Sequence, residues 1–312
     1  MESASQVSQS EQSANGGPPR QPEAPRLHRL ASDIGEVKAL DAPAQQVLNI
    51  LGKAVKPGRV RDALSGTFLG HALHPLLTDV PIGTWTSAML LDVAGGKGSG
   101  PAARKLIGAG ILAALPTAAT GWLEWGDSAR KHTATRRVGM VHAAANVTAL
   151  SLYTASYLAR RRGGGGRMLA IAGGGALAVG GHLGGHLSYV HGEGVAVTTF
   201  EEGPREWTSA LLDSELAEGQ MTAVDTVGGM QVLLVRDKGE VFAMANRCNH
   251  RGGPLHEGEL SDGCVTCPWH GSRFDLRNGD LERGPAASPQ PAFETRVRNS
   301  RIEIRQATDP TP

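Results

Sequence analysis

Residues 247–275 read RCNHRGGPLHEGELSDGCVTCPWHGSRFD and contain all three cysteines and three of the eleven histidines of a 312-residue chain. Two pairs of metal-binding side chains lie in this stretch: Cys248-x-His250 and, after sixteen intervening residues, Cys267-x-x-His270. Each pair closes a small loop that can direct one thiolate and one imidazole towards a common point. The four side chains are therefore candidates for a single metal site.

The residue types in these pairs favour zinc or a 2Fe–2S cluster as the bound metal. A zinc ribbon usually supplies Cys-x-x-Cys pairs, whereas both pairs here are mixed. Mixed pairs suit a cluster in which two cysteines bind one iron and two histidines bind the other. The third cysteine, Cys264, precedes Cys267 at β-strand spacing, and we interpret it as a small apolar side chain packed in the domain.

The sequences around the two pairs, CNHRGGPL and CPWHGSRFD, resemble the two cluster-binding loops of the Rieske ferredoxin-like family. Residues 284–305, GPAASPQPAFETRVRNSRIEIR, resemble the Pro-rich third loop and closing strands of that family. The resemblance implies an all-β Rieske domain over residues 196–306 that transfers single electrons between a donor and an acceptor protein, neither of which the sequence identifies. It also implies one 2Fe–2S cluster per chain, in which Cys248 and Cys267 bind the buried iron. His250 and His270 are expected to bind the outer iron, with imidazole edges near the surface where electrons leave.

Differences from high-potential Rieske proteins predict a low reduction potential. In those proteins each cluster loop carries an extra cysteine and the two form a disulfide, whereas this chain has Gly253 and Trp269 at the corresponding positions. A tyrosine that donates a hydrogen bond near the cluster is replaced by Phe274, although the serine donor remains as Ser272. Fewer hydrogen bonds to the cluster disfavour its reduced state, so we expect a ferredoxin-like potential.

The length of the chain after the cluster motifs argues against a complete Rieske oxygenase. Those enzymes bind a mononuclear iron through two histidines and a carboxylate in a large domain that follows the cluster domain. Only 42 residues follow His270, and none of them is a histidine.

The middle of the chain predicts an all-α, four-helix transmembrane bundle over residues 71–192. Residues 106–123, 138–157 and 168–190 contain no Asp, Glu, Lys or Arg, and each stretch is long enough to cross a bilayer. A fourth apolar stretch, residues 75–93, contains Asp79. A soluble bundle is the alternative, but its helices should each carry a charged stripe.

Glycine content also favours membrane helices. Residues 168–190 hold seven glycines, including Gly181-x-x-x-Gly185, a spacing that allows close helix approach in lipid and gives a poor helix in water. The segment GHALHPLLTDVPIGTW is similar to a family of four-helix bacterial membrane domains of uncharacterised function.

The remaining segments predict the location of the protein. Residues 1–26 are polar and lack the apolar core of a signal peptide, so we expect a disordered tail, followed by an amphipathic segment over residues 27–70. Four spans place both ends on one side of a bacterial inner membrane. With two of three cysteines committed to metal, no internal disulfide is available, which favours a cytoplasmic Rieske domain.

Charge divides between the two halves of the chain. Residues 1–190 carry a net charge of +8 and residues 191–312 a net charge of −7. The basic half suits the lipid bilayer, and the acidic half suits a basic partner protein. No nucleic-acid-binding motif is present.

Ionisable residues within the predicted helices raise the question of a second site. Intramembrane ionisable groups are costly and often functional. Haem ligation, a mononuclear metal or quinone pocket, and interhelical hydrogen bonding without a cofactor are all compatible with the sequence. We therefore predict a low-potential, membrane-anchored electron carrier, with a membrane oxidoreductase or a redox sensor as alternatives. The candidate residues, all expected in the leaflet facing the Rieske domain, are His71, His74, Asp79, His142, His182 and His186.

Overall fold

The computed structural model describes residues 24–96 and 98–306, so most of the predicted tail lies outside the described residues. Helices occupy the N-terminal part of this range and strands the C-terminal part, as the sequence predicts. The helices are α1 (Arg26–Ile34), α2 (Asp41–Ala54), α3 (Arg59–Ser65), α4 (Leu73–Ala94), α5 (Gly100–Ala129), α6 (Thr133–Arg161) and α7 (Arg167–Tyr189).

The four long helices α4 to α7 pack together through aromatic side chains set against small residues. Trp85 of α4 stacks on Tyr153 of α6 with ring centroids 4.3 Å apart, and both side chains are buried. Gly110 of α5 lies beneath Trp85, where a Cβ atom would come within 2.3 Å of the indole nitrogen. A larger residue at this position would therefore push the helices apart.

Length and apolar composition qualify two helices in the described residues, α5 and α7, as membrane spans, whereas the sequence predicts four. Most of the apolar stretch of each helix is exposed, as shown by Leu112 in α5 and Val179 in α7. The other two long helices form as expected but are less apolar. Helix α4 contains Asp79 and Asp92, and both ends of α6 are rich in arginine.

The three short helices lie over the end of the bundle where α5 ends and α6 begins. Asp41, at the start of α2, accepts hydrogen bonds from Arg136 at 2.9 Å and from Arg137 at 2.7 Å. Arg130 donates to the carbonyl oxygen of Leu48 in α2 at 2.9 Å. These bonds attach residues 41–54 to the bundle.

Ten strands form two antiparallel sheets in the C-terminal half. The larger sheet has the order β1-β10-β9-β4-β3-β2 and the smaller sheet the order β5-β6-β7-β8. The strands are β1 (Thr208–Leu212), β2 (Met221–Asp225), β3 (Gln231–Asp237), β4 (Glu240–Ala245), β5 (Glu259–Ser261), β6 (Cys264–Thr266), β7 (Arg273–Asp275), β8 (Leu281–Arg283), β9 (Ala292–Arg298) and β10 (Arg301–Gln306).

Burial of alternate residues creates two cores in this half. Val232 and Leu234 of β3 face a core shared with β9 and β10, while Leu233 and Val235 face a second core beneath the small sheet. Cys264 is buried in β6, where it pairs with Asp275 of β7. The second core also contains Cys248, Cys267 and Phe274, so the predicted metal-binding residues rest on a packed base.

Candidate metal centre

Two loops with the same backbone geometry carry the candidate ligands. In the first, after β4, the N–H of Gly252 donates to the carbonyl oxygen of Cys248 at 2.7 Å, and in the second, between β6 and β7, the N–H of Gly271 donates to Cys267 at 3.1 Å. Both glycines have φ near +80°, at +75° and +82°, a conformation that glycine adopts without a Cβ penalty. Each loop therefore turns sharply four residues after its cysteine.

The two loops bring the four sequence-predicted residues together. The Cys248 and Cys267 thiols lie close enough to interact, and both side chains are buried. The His250 and His270 rings lie with centroids 5.1 Å apart and nearly perpendicular. The sulfur ligands thus occupy the inner side of the site and the imidazoles the outer side.

The donor atoms fit a binuclear iron–sulfur cluster. His250 Nδ1 is buried and has no hydrogen-bond partner in the described part of the chain, so this atom is available to bind a metal. Among the described residues, no three His, Cys, Asp or Glu side chains are gathered closely enough to hold one ion. A 2Fe–2S cluster instead divides its four protein ligands between two irons.

The electrostatics of the site favour the protonation states that bind metal, which are neutral imidazole for the histidines and thiolate for Cys267. Burial holds the pKa of His250 well below its usual range and also lowers the pKa of His270, so both imidazoles are neutral near pH 7. The hydrogen bond from Cys248 lowers the pKa of the Cys267 thiol to about 7, while the same bond raises the pKa of Cys248. Metal binding requires neutral imidazole and thiolate, and Cys267 reaches the thiolate form first.

Gly253 and Trp269, which stand where a disulfide would be, face each other in the structure. A Cβ atom on Gly253 would lie 3.1 Å from the Trp269 ring and 2.7 Å from Cys267 Sγ. The indole therefore covers the glycine, and packing rather than a covalent bond holds the two loops together.

A third loop, residues 284–291, supports the first cluster loop through side chains that sequence reasoning did not single out. The Gln290 amide nitrogen donates to the carbonyl oxygens of Ala245 and Arg247, and its oxygen accepts from the N–H of Asn249 at 3.0 Å. The Asn249 amide donates to the carbonyl oxygen of Ser288 at 2.7 Å. The only sequence signal for this network was a glutamine within a Pro-rich loop.

Ser272, expected as a hydrogen-bond donor near the cluster, is buried directly below the second loop. Its hydroxyl oxygen accepts the N–H of Ala286 at 2.9 Å, which leaves its own proton free to point elsewhere. Phe274 is also fully buried in the core beneath the cysteines.

The outer face of the site lies against the helical half rather than in solvent. His250 Nε2 is 3.6 Å from the Asp127 carboxylate in α5, and Lys131 lies 4.5 Å from the centre of the Trp269 ring. The sequence interpretation placed the imidazole edges near the surface, where electrons would leave. Burial of His250 by α5 corrects that expectation, because sequence gives no information on how two domains dock.

The connector between the halves also contacts the first cluster loop. Glu193 forms an ion pair with Arg251 at 3.0 Å and accepts a hydrogen bond from Ser128 at 2.7 Å. Further along the connector, the N–H of Val197 donates to the carbonyl oxygen of Asn249 at 3.0 Å. A cavity of about 240 Å³ remains between the halves beside His250.

Among the described residues, the six candidates for the second site include no three side chains close enough to hold one metal ion. His74 bonds to the carbonyl oxygen of Thr117 at 2.9 Å, and His142 bonds to that of Gly180 at 2.8 Å. His71 is exposed just before α4, and Asp79 is exposed within α4. His182 is an exposed side chain near Leu27.

His186 has different neighbours from those the sequence predicted. Its ring centroid lies 5.3 Å from that of His28 in α1 and 5.0 Å from that of His191. Depth along antiparallel helices suggested convergence, but depth does not determine which way each side chain faces around its helix.

Two cysteine–histidine pairs on facing loops of a two-sheet β domain define an iron–sulfur protein. Residues 206–294 match the family model described as Rieske [2Fe-2S] domain, and residues 70–197 match the model described as Predicted membrane protein (DUF2231). The chain belongs to the Rieske [2Fe-2S] family through its C-terminal half, joined to a domain of the predicted membrane protein family. A Rieske domain implies a 2Fe–2S cluster and electron transfer.

Curated relatives include both short ferredoxins and a longer protein. The anthranilate 1,2-dioxygenase ferredoxin subunit of Burkholderia cepacia is 30% identical over 99 residues, which cover 32% of this chain and 91% of the relative. Apoptosis-inducing factor 3 of Mus musculus is 42% identical over 91 residues, covering 29% of this chain. The chain spans only 15% of the length of that second relative.

A solved structure similar to this chain is the ferredoxin of carbazole 1,9a-dioxygenase from Nocardioides aromaticivorans IC177. It is 30% identical, covers 32% of this chain and 97% of its own, and has a TM-score of 0.30.

Proposed function

We propose that this chain is a membrane-anchored, low-potential electron carrier in which Cys248 and Cys267 bind one iron of a 2Fe–2S cluster and His250 and His270 bind the other. One observation carries the proposal: two mixed pairs meet with the thiols in contact and with His250 Nδ1 buried and unpaired. The cluster supplies reversible one-electron transfer. The protein holds the imidazoles neutral and excludes water from the sulfur side.

The low potential is supported by the two loops. Trp269 over Gly253 replaces a covalent link, and Phe274 supplies no hydroxyl near the cysteines. A phenylalanine at this position removes one possible hydroxyl hydrogen bond, which stabilises the oxidised cluster relative to the reduced one. We expect a midpoint in the lower part of the Rieske range of about −150 to +300 mV.

Membrane attachment is supported by α5 and α7, whose apolar surfaces are largely exposed. We propose that residues 71–192 form the membrane domain, preceded by an interfacial segment over residues 27–70 and followed by the Rieske domain over residues 196–306. The Rieske domain lies at the end of the bundle where α4 begins and α5 ends. We assign this end to the cytoplasmic side, because no internal disulfide is available once two of three cysteines bind metal.

The partners of this carrier are redox proteins. Ferredoxin relatives belong to dioxygenase systems, as their names state, and we propose that this chain likewise passes electrons from a reductase to an acceptor protein. The Rieske half is acidic, so a partner with a basic docking face is expected.

A second candidate function, a membrane oxidoreductase with a further haem or metal site, keeps support from one observation. His186 Nε2 is buried with no hydrogen-bond partner among the described residues, and the His186 ring lies near the rings of His28 and His191. Haem or a stoichiometric second metal in the purified full-length protein would favour this candidate. If the protein contains only iron and sulfide in the proportions of one cluster, these histidines serve packing and this candidate function is excluded.

Anaerobic purification in detergent tests the main proposal. The dithionite-reduced protein should show the low average g value of a Rieske EPR signal, with about two irons and two acid-labile sulfides per chain. Cys267→Ser should abolish this signal, whereas the matched control Cys264→Ser, three residues away, should leave it unchanged. His250→Cys should alter the g values. Stoichiometric zinc in place of iron would contradict the proposal.

A further inference from the structure

A carboxylate from the helical half lies directly beside one of the cluster histidines. Asp127 Oδ2 is 3.6 Å from His250 Nε2, while Asp127 Oδ1 accepts a hydrogen bond from Arg61 at 2.5 Å. The three side chains are about nine-tenths buried. They form a chain that runs from α3 through α5 to the first cluster loop.

The position of Asp127 is unfavourable for a carboxylate unless it has partners. Asp127 lies in the last turn of α5, which ends at Ala129, where the helix dipole is negative. Burying an unpaired charge there would be strongly unfavourable. Arg61 compensates the charge through one oxygen, which leaves the other oxygen directed towards His250.

The two ring nitrogens of His250 have different surroundings. Nδ1 is buried and has no hydrogen-bond partner among the described residues, and Nε2 lies beside the carboxylate. When Nδ1 binds iron, the proton of the imidazole resides on Nε2. A carboxylate close to this N–H makes the imidazole a stronger electron donor to the metal.

We propose that Asp127 lets the helical half set the reduction potential of the cluster. The negative charge of Asp127 beside His250 stabilises the oxidised cluster, so the docked Rieske domain has a lower potential than it would have without this carboxylate. The inference rests on the proposed function, since it requires His250 to bind iron. Asp127 is a positioning residue that acts through His250 and touches no reacting atom.

Other charged groups also line this interface, and Glu124 borders the same cavity as Asp127 and His250. The other cation near His250, Arg251, is paired with Glu193 at 3.0 Å. Glu193 therefore provides a matched control, because it is an acidic residue of the same interface that has an arginine and Ser128 as partners instead of a cluster histidine.

Redox titration of the full-length protein, followed by EPR, tests the proposal. Asp127→Asn should raise the midpoint, favouring reduction about tenfold, which equals 59 mV for a one-electron couple. Asp127→Glu should restore most of the low potential. Arg61→Gln should shift the midpoint in the opposite direction, because it removes the compensating cation. Glu193→Gln should shift the midpoint potential by less than a third of the shift in Asp127→Asn.

The outcomes separate this inference from the proposed function. A wild-type protein without a Rieske EPR signal would defeat the proposed function itself. A normal signal in Asp127→Asn with an unchanged midpoint would overturn the tuning role, as would an equal shift in Glu193→Gln. If the Asp127→Asn protein fails to accumulate, the Arg61→Gln variant provides the test. A higher midpoint potential in Arg61→Gln would refute the proposal.

Discussion

Replacing Gln290 with alanine should loosen the first cluster loop without touching any candidate ligand. The Gln290 side chain is almost completely buried and makes three hydrogen bonds to the backbone of residues 245–249, at 2.9, 2.7 and 3.0 Å. These bonds join the third loop to the backbone on both sides of Cys248. Gln290→Ala removes all three and leaves a buried N–H and two carbonyl oxygens without this partner.

The expected cost follows from the number of bonds. A buried hydrogen bond contributes about 1 kcal/mol net, so the three together give about 3 kcal/mol. This corresponds to a change of roughly 100-fold in the unfolding equilibrium constant. Gln290→Glu has the same shape but places a carboxylate oxygen against two carbonyl oxygens, so it should be at least as destabilising.

Guanidinium unfolding in detergent, followed through the visible absorbance of the cluster, measures this effect. Gln220 supplies the control, because its side chain also bonds to a backbone N–H, that of Ala217 at 2.9 Å, but lies in an exposed turn. Gln220→Ala should change stability by less than about 0.5 kcal/mol. A loss below about 1 kcal/mol in Gln290→Ala, together with a tolerated Gln290→Glu, would refute the idea that this amide clamps the loop.

Three further substitutions test other parts of the structure. Gly253→Ala places a Cβ 2.7 Å from Cys267 Sγ, so it should cost about 1–3 kcal/mol and lower the iron content of the purified protein. Ser272→Ala removes the remaining hydroxyl below the second loop and should lower the midpoint in a redox titration, with a rise counting against its role as a donor. Arg160→Met leaves the buried Asp92 carboxylate without its cation and should reduce the unfolding free energy by about 3–5 kcal/mol, measured by thermal unfolding; a neutral result would mean that Asp92 is protonated or hydrated.

The cluster loops were predictable from sequence because their information is local. A cysteine followed within three residues by a histidine already determines how far apart the two side chains can be. The glycines at 252 and 271 provide the turn that each loop needs. The meeting of the two loops followed from the family resemblance, and their geometry agrees with it.

The helices were also predictable, although their ends were not. Charge-free stretches indicated the centres of α5, α6 and α7, but α5 extends over Gly100–Ala129, well beyond residues 106–123. Charged residues such as Arg104 and Glu124 continue the helix, because long side chains can keep their polar groups at a surface while the backbone stays helical. The ends of such helices depend on packing contacts, and the pattern of apolar residues in the sequence does not reveal these contacts.

Contacts between residues far apart in the chain could not be predicted. Asp127 and His250 are separated by more than a hundred residues, and nothing in either neighbourhood indicates the other. Gln290 likewise supports a loop about forty residues earlier. The second site also depends on contacts between distant residues and stays a prediction, with His142 bonded to a backbone carbonyl of α7.

The connector between the halves affects how such proteins can be recombined. Glu193 and Val197 bond to the first cluster loop, so the connector is part of the Rieske domain's support as well as its attachment. A chimera that fuses a soluble ferredoxin directly after α7 would keep the order of the domains but lose these bonds. Exchange of the Rieske half between such chains therefore requires the connector and the cluster loop to be transferred together.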